Sequence, residues 1–165
     1  MRVLVVGAGA VGGCFGALLV RSGAEVAFLV RGSRLTRLDS EGLRIAGADG
    51  ATSSVPVVTI NAADLKGHYD LILLAVKGTA LTGALTDVAP AAGGSTAVLV
   101  LLNGIRHVDI LREALGARRV LGGVSLAATE LGPDGLIRQV SPGASARGPP
   151  RRRHTLKTAH PECGQ

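Results

Sequence analysis

Residues 1–31 of the chain read MRVLVVGAGAVGGCFGALLVRSGAEVAFLVR, and their pattern indicates the fold class. Arg2–Val6 is a run rich in β-branched residues that ends at Gly7, which is typical of a buried strand. Residues 10–22 carry apolar side chains at helical spacing, and the pair Ser22-Gly23 is a common helix end. Residues 25–30 return to a strand pattern. The stretch therefore predicts a strand–helix–strand unit of about 30 residues.

The turn between the first strand and the helix carries the pattern G-x-G-x-x-G, in Gly7, Ala8, Gly9, Ala10, Val11 and Gly12. A glycine-rich chain can produce this pattern by chance, but here it follows a strand and opens a helix, as a dinucleotide-binding loop requires. Gly7 would permit the tight turn, Gly9 would let the backbone approach a pyrophosphate, and Gly12 would let the helix pack closely on the strand. The pyrophosphate would lie at the helix N-terminus, where free N–H groups and the helix dipole favour negative charge. The alternative is a glycine-rich turn that binds no ligand.

The end of the second predicted strand indicates which dinucleotide would bind. An NAD site usually places Asp or Glu there to hold the ribose 2′-hydroxyl, whereas this chain has the sequence VRGSR over residues 30–34. An arginine can hold a 2′-phosphate with a fork of N–H donors, and a carboxylate would repel that phosphate. We therefore predict NADPH as the cofactor, with Arg31 as the main contact and Arg34, with Ser33, in an assisting role. A solvated basic turn is the alternative interpretation.

Two polar residues follow the next predicted strands at their carboxyl ends, which is where open α/β sheets bind their ligands. Lys77 follows the strand LILLAV directly, and its cation could reach a phosphate, a ribose or a substrate carboxylate. Asn103 follows the strand TAVLVLL and could hydrogen-bond the nicotinamide ribose or the substrate. The alternatives are an exposed lysine at a strand end and a simple Asn-Gly turn.

Strand and helix patterns alternate along the rest of the chain. The predicted strands lie at residues 69–76, 96–102 and 120–127, and the predicted helices at 79–88 and 107–115. We also predict a basic loop leading into a short helix over 31–42, a strand pair formed by 43–45 and 55–60, and a turn at 132–135 into a hairpin strand at 136–140. This alternation is typical of a Rossmann-like α/β fold, an open and mainly parallel sheet with helices on both faces.

The composition changes after about residue 142 and suggests a domain boundary. Residues 1–143 hold 13 Lys/Arg and 11 Asp/Glu, whereas residues 144–165 hold 5 Lys/Arg and 1 acidic residue in a stretch rich in Pro and Gly. We therefore predict an NADP-binding domain over 1–143 and a basic tail without regular structure over 144–165. The net charge of +6 comes mainly from that tail and says little about the folded part.

Several classes of function find no support in the sequence. The chain has two cysteines and four scattered histidines, a set that predicts neither a metal site nor a disulfide framework. No run of apolar residues is long enough for a membrane span, and no signal peptide is evident, so we expect a cytoplasmic protein that does not bind membranes. The run Arg151-Arg152-Arg153 lacks interleaved aromatic residues, and we expect no nucleic-acid partner.

Taken together, these motifs resemble the ketopantoate reductase (2-dehydropantoate 2-reductase) family over residues 1 to about 143. The residues that carry the resemblance are the loop 7–12, Arg31, the strand end Ala75-Val76-Lys77, Leu102-Asn103-Gly104, and GGVSLAAT over 122–129. The family often has Gln or His where this chain has Leu102, which bears on the fine geometry of that loop.

The resemblance implies how the family's site maps onto this chain. The glycine loop and Arg31 would bind NADPH, Lys77 would lie near the cofactor, and Asn103 would touch both the cofactor and the substrate. Ala128 would meet the nicotinamide end through its backbone. Family members continue into a helical C-terminal domain, which supplies the proton-donating lysine. No catalytic residue is therefore assigned within these 165 residues.

The implied function is the NADPH-dependent reduction of a 2-oxo acid, foremost 2-dehydropantoate to pantoate in pantothenate biosynthesis. The break in composition near residue 143 leads us to expect a truncated form with little activity. A non-enzymatic NADP(H)-binding protein or an inactive gene remnant is the alternative. A cleft face left uncovered by the helical domain would favour association into a homodimer.

Overall fold

A computed structural model of the chain describes residues 1–47, 49–102, 106–122 and 128–139. The helices are α1 (Ala10–Arg21), α2 (Gly32–Glu41), α3 (Leu81–Val88) and α4 (Arg106–Leu115). The strands are β1 (Arg2–Val6), β2 (Glu25–Leu29), β3 (Leu43–Ala46), β4 (Thr52–Val55), β5 (Val58–Ile60), β6 (Leu71–Leu74), β7 (Ala97–Val100), β8 (Val120–Gly122), β9 (Thr129–Leu131) and β10 (Ile137–Gln139).

Six strands form the main sheet, in the order β5-β2-β1-β6-β7-β8. Every neighbouring pair in it is parallel. The chain leaves β1 toward β2 on one side and reaches β6 on the other, so the direction of winding reverses between β1 and β6. In open α/β sheets this reversal opens a crevice at the carboxyl ends of the strands, where ligands bind. The Rossmann-like fold predicted from the sequence is confirmed.

Alternate residues of the central strand face opposite sides of the sheet, as the two-residue period of a strand requires. Val3 and Val5 pack with residues of α1 and α2, whereas Leu4 and Val6 pack with residues of α3 and α4. All four side chains are buried. The sheet is therefore covered on both faces, which explains why its strands are almost continuously apolar.

A second sheet of four strands, in the order β4-β3-β10-β9, covers the outer side of α1. The glycines of α1 make this three-layer packing possible. A Cβ on Gly16 would meet the ring of Phe28 at 2.4 Å on the main-sheet side, and a Cβ on Gly13 would meet Ile137 at 2.2 Å on the other side. The sequence predicted the turn at 132–135 and the hairpin strand that follows it, but not β9 or the sheet into which these strands assemble.

Two local predictions were wrong. Residues 31–42 do not begin with a loop, because α2 starts at Gly32 with Arg31 as its N-cap. Residues 55–60 are not one strand. β4 pairs antiparallel with β3, whereas β5 pairs parallel with β2 in the main sheet. The break falls at Pro56, a residue without the backbone N–H that a central strand needs. The predicted strand at 120–127 is present as β8, and its remainder lies outside the described residues.

Among the residues described, none of the helices has the length and apolar character required for a bilayer crossing.

Candidate cofactor site

The glycine loop joins β1 to α1 at the carboxyl edge of the main sheet. Gly7 has a φ of 91°, a backbone conformation that favours glycine. A Cβ on Gly12 would lie 2.0 Å from the carbonyl oxygen of Gly7 and 2.9 Å from the Cβ of Ala75, which follows β6. Gly7 and Gly12 thus have the conformational and packing roles that the motif predicts. They hold the start of α1 directly against the ends of two strands.

The N-terminus of α1 opens into the crevice without a competing anion. Gly9 is the N-cap in an extended conformation, no side chain caps the helix, and its first turn contains no acidic residue. A Cβ on Gly9 would meet no atom within 4 Å, so there is open space beside the loop. The free N–H groups of the first helical turn and the helix dipole favour an anion at this point. These features fit a diphosphate.

A cavity of about 340 Å³ lies beside the glycine loop, between the ends of β1 and β2 and helix α3. Its wall is mostly apolar, with two arginines and one carboxylate. The lining residues are Val6, Gly7, Ala8, Gly9, Leu29, Val30, Arg31, Arg34, Val76, Ala80, Ala84, Asp87 and Leu131. The volume falls within the usual range of small-molecule pockets, and the apolar wall suits a flat aromatic ring such as adenine.

Arg31 reaches across this cavity to helix α3. One nitrogen of its guanidinium group, Nη2, forms an ion pair with Oδ2 of Asp87. The arginine side chain is 65% exposed, whereas the side chain of Asp87 is 16% exposed. Arg31 therefore presents a cation at the mouth of the cavity. Its guanidinium group, which we predicted to bind a phosphate, is paired with the carboxylate of Asp87.

Arg34 is less exposed than Arg31, and its guanidinium group donates hydrogen bonds to backbone carbonyls. Its Nε donates to the carbonyl of Ala8 in the glycine loop at 2.9 Å, and its Nη1 donates to the carbonyl of Gly135 at 3.3 Å. Its Nη2 is buried and has no hydrogen-bond partner among the described residues. Burial lowers the pKa of Arg34 below its usual value, and the neighbouring charge of Arg37 adds to this effect. These contacts make Arg34 a brace between the glycine loop and the β9–β10 turn.

Three further residues were predicted to belong to the site: Lys77, Asn103 and Ala128. Lys77 is exposed three residues after the end of β6, and its carbonyl accepts from the N–H of Ala80 at 2.8 Å. Ala128 is exposed and precedes β9. Asn103 lies outside the described residues. Gly9 and Lys77 follow the carboxyl ends of the neighbouring parallel strands β1 and β6.

Eight residues of the cavity wall were not assigned to the site from the sequence, namely Val6, Leu29, Val30, Val76, Ala80, Ala84, Asp87 and Leu131. Asp87 had a detectable signal, because Ala84 and Asp87 are three residues apart on one face of α3, and α3 is the first α-helix after β6. Leu131 had none. It belongs to β9, and only the packing of the second sheet brings it to the cavity.

Comparison with known proteins identifies the family of the chain. The family model of ketopantoate reductase PanE/ApbA matches residues 3–151 of the chain. The chain belongs to the ketopantoate reductase family. It is 32% identical to a 2-dehydropantoate 2-reductase of Mesorhizobium japonicum, over 91% of this chain and 52% of that protein.

Solved structures of related proteins share the fold. A 2-dehydropantoate 2-reductase of Geobacter metallireducens superposes with a TM-score of 0.77 at 31% identity, over 84% of this chain and 46% of that one. D-mandelate dehydrogenase in a ternary structure with NADH and anilino(oxo)acetate superposes with a TM-score of 0.80 at 26% identity, over 86% of this chain and 46% of that one. The chain thus spans about half the length of these relatives.

Proposed function

We propose that this chain is the NADPH-binding part of an oxidoreductase that reduces a 2-oxo acid, foremost 2-dehydropantoate to pantoate. The observation that carries the proposal is the meeting of an uncapped helix N-terminus, an apolar cavity and the guanidinium of Arg31 at one sheet edge. These are the three features that a phosphorylated dinucleotide needs: a place for the diphosphate, one for the adenine and one for the 2′-phosphate.

Each part of the site has a distinct task in this proposal. The loop from Gly7 to Gly12 binds the diphosphate through backbone N–H groups, with Ala8, Ala10 and Val11 completing the loop. Arg31 binds the 2′-phosphate, and Lys77 supplies a second cation near the cofactor. Asn103 and Ala128 hold the nicotinamide end, with Asn103 also touching the substrate. The last two assignments rest on the family resemblance.

When bound, NADPH supplies the hydride that reduces the keto carbon, and the protein contributes binding and orientation. The related D-mandelate dehydrogenase was solved with NADH and a 2-oxo acid derivative together, which supports a nicotinamide cofactor and a 2-oxo acid in one cleft. The resemblance places the proton-donating lysine outside these 165 residues. A positioned general acid is worth about 10²–10⁴-fold in rate. We therefore expect this chain alone to bind NADPH and to reduce 2-dehydropantoate slowly.

Titration of the 165-residue chain with NADPH and with NADH by calorimetry tests the cofactor assignment. Arg31→Ala should weaken NADPH binding about tenfold or more and leave NADH binding nearly unchanged, because only NADPH carries the 2′-phosphate. Arg118→Ala is a matched control, since Arg118 is exposed and lies just before β8, at the opposite edge of the sheet. An unchanged ratio of NADPH to NADH affinity in Arg31→Ala would show that Arg31 is not the phosphate clamp.

Three further expectations stay predictions. These are the boundary between a domain at 1–143 and a tail at 144–165, association into a homodimer, and a cytoplasmic location.

A further inference from the structure

The ion pair between Arg31 and Asp87 joins two residues that line the same cavity from opposite sides. Arg31 comes from the end of β2, and Asp87 comes from α3. The guanidinium also passes over Gly83, one turn before Asp87, where an added Cβ would lie 3.9 Å from Nη1 of Arg31. The arginine therefore lies along the cavity face of α3 and brings its charge next to a carboxylate.

The position of Asp87 matters because the end of β2 offers no carboxylate of its own. Residues 30–34 contain none, and Glu25 lies at the far end of β2, where it pairs with Arg2 at 3.2 Å. In NAD sites the acidic residue that holds the ribose 2′-hydroxyl usually comes from the end of this strand. Here a carboxylate reaches the same region from another helix, and it does so beside the arginine that would bind a 2′-phosphate.

We propose that Asp87 is a specificity-determining residue of the cofactor site, which accepts a hydrogen bond from the 2′-hydroxyl of NADH and opposes the 2′-phosphate of NADPH. The inference rests on the proposed function, because it needs a nicotinamide dinucleotide in this cleft. Its consequence is that the chain uses both cofactors, with a smaller preference for NADPH than Arg31 alone would produce.

The geometry of Asp87 permits both effects. Arg31 contacts Oδ2 of the carboxylate, and within the described part of the chain Oδ1 has no hydrogen bond, so Oδ1 can accept from a ribose hydroxyl. A 2′-phosphate at Arg31 would lie close to a carboxylate of the same sign and would have to share the guanidinium with it. Because the side chain of Asp87 is largely buried, solvent screens this repulsion less than at an open surface.

Asp87→Asn tests the proposal, because it removes the charge and keeps the shape of the side chain. We expect NADPH to bind about tenfold more tightly to the variant and NADH to bind several-fold more weakly, as the loss of a charged acceptor predicts. Glu25→Gln is the matched control. It also neutralises a carboxylate that pairs with an arginine, but at the opposite edge of the sheet, and it should leave both affinities unchanged.

The competing role for Asp87 is to hold Arg31 in place for the phosphate. In that case Asp87→Asn would weaken NADPH binding, as Arg31→Ala does, and would leave NADH binding unchanged, and the proposal would be wrong. It would equally be wrong if neither affinity changed. Asp87→Ser removes the charge with a smaller side chain, and it must shift the affinity ratio in the same direction as Asp87→Asn.

The same titrations separate this inference from the function on which it rests. If the unsubstituted chain binds neither nucleotide, the proposed cofactor site is wrong and the role of Asp87 falls with it. If both nucleotides bind and only the response to Asp87→Asn fails, the cofactor site stands and the role of Asp87 alone is refuted.

Discussion

Alanine substitutions at Gly9 and Gly12 separate the two tasks of the glycine loop, because the two positions differ sharply in the space around them. A Cβ on Gly12 would lie 2.0 Å from a backbone carbonyl, a contact that real structures essentially never show. Relieving it requires α1 to move by about 1 Å away from β1. A Cβ on Gly9 would meet nothing within 4 Å, and the extended backbone there suits any residue.

These distances predict that Gly12→Ala lowers the free energy of unfolding, whereas Gly9→Ala lowers the affinity for NADPH. Overpacking in a close-packed region costs about 1–3 kcal/mol or more, and the better helix propensity of alanine returns about 1 kcal/mol. Because the clash at Gly12 is with rigid backbone, we expect Gly12→Ala to lose roughly 2 kcal/mol of unfolding free energy. That loss lowers the melting temperature by roughly 4–8 °C.

Gly9→Ala should change the unfolding free energy by less than about 1 kcal/mol, since only the helix N-cap is altered. Its methyl group would occupy the space that a diphosphate needs, so one or two charge-assisted hydrogen bonds to the loop would be lost. We expect NADPH affinity to fall by about 10- to 100-fold. Gly94→Ala is the control, because its Cβ also meets open space and it lies before β7, at the opposite edge of the sheet.

Circular dichroism during thermal unfolding measures the first effect, and calorimetric titration with NADPH measures the second. Native-like NADPH binding by Gly9→Ala would refute the diphosphate position. A Gly12→Ala variant as stable as the native chain would refute the reasoning about helix packing.

Two further predictions concern the arginines that surround the β9–β10 turn. Arg34→Ala removes the hydrogen bonds that tie the glycine loop to that turn, so urea denaturation should show a loss of about 2 kcal/mol, and a loss below about 0.5 kcal/mol would argue against a bracing role. A side-chain hydrogen bond from Arg138 holds the pKa of Asp134 below its usual range, so the stabilisation from this pair is present above about pH 4 and is lost as the pH falls through the folded-state pKa. In Arg138→Gln, an NMR titration should show the pKa of Asp134 rising toward the ordinary aspartate value, and no rise would mean that the pair does not cause the shift.

Local sequence patterns were sufficient to predict most elements of the main sheet. The run Arg2–Val6 and the strand that contains Leu71–Leu74 are almost wholly apolar, because both faces of a covered parallel strand are buried. The predicted ends of elements were less accurate. Arg31 was placed in a loop although it occupies the N-cap position of α2, since a basic residue carries little local signal for a helix start.

The candidate site was predictable only where its residues belong to a local motif. The glycine loop was predictable because its six residues form one short motif between a predicted strand and a predicted helix, although Gly12 also packs against Ala75. Asp87 comes close to Arg31 from 56 positions further along the chain. Arg34 donates to Gly135 across 101 positions. Contacts at such separations depend on how helices and sheets pack, which no single segment encodes.

Local sequence patterns identified a strand–helix–strand unit with a G-x-G-x-x-G turn at the start of the chain and an α/β sheet after it. They did so because glycine spacing and apolar runs are local consequences of a tight turn and of buried strands. Three features became visible only in the folded chain: the hairpin ending in β10 joins β3 in a second sheet, Arg34 braces the glycine loop, and Arg31 pairs with Asp87. Each of these depends on distant segments meeting in space, and the last of them turns a predicted phosphate clamp into a site where a cation and a carboxylate lie side by side.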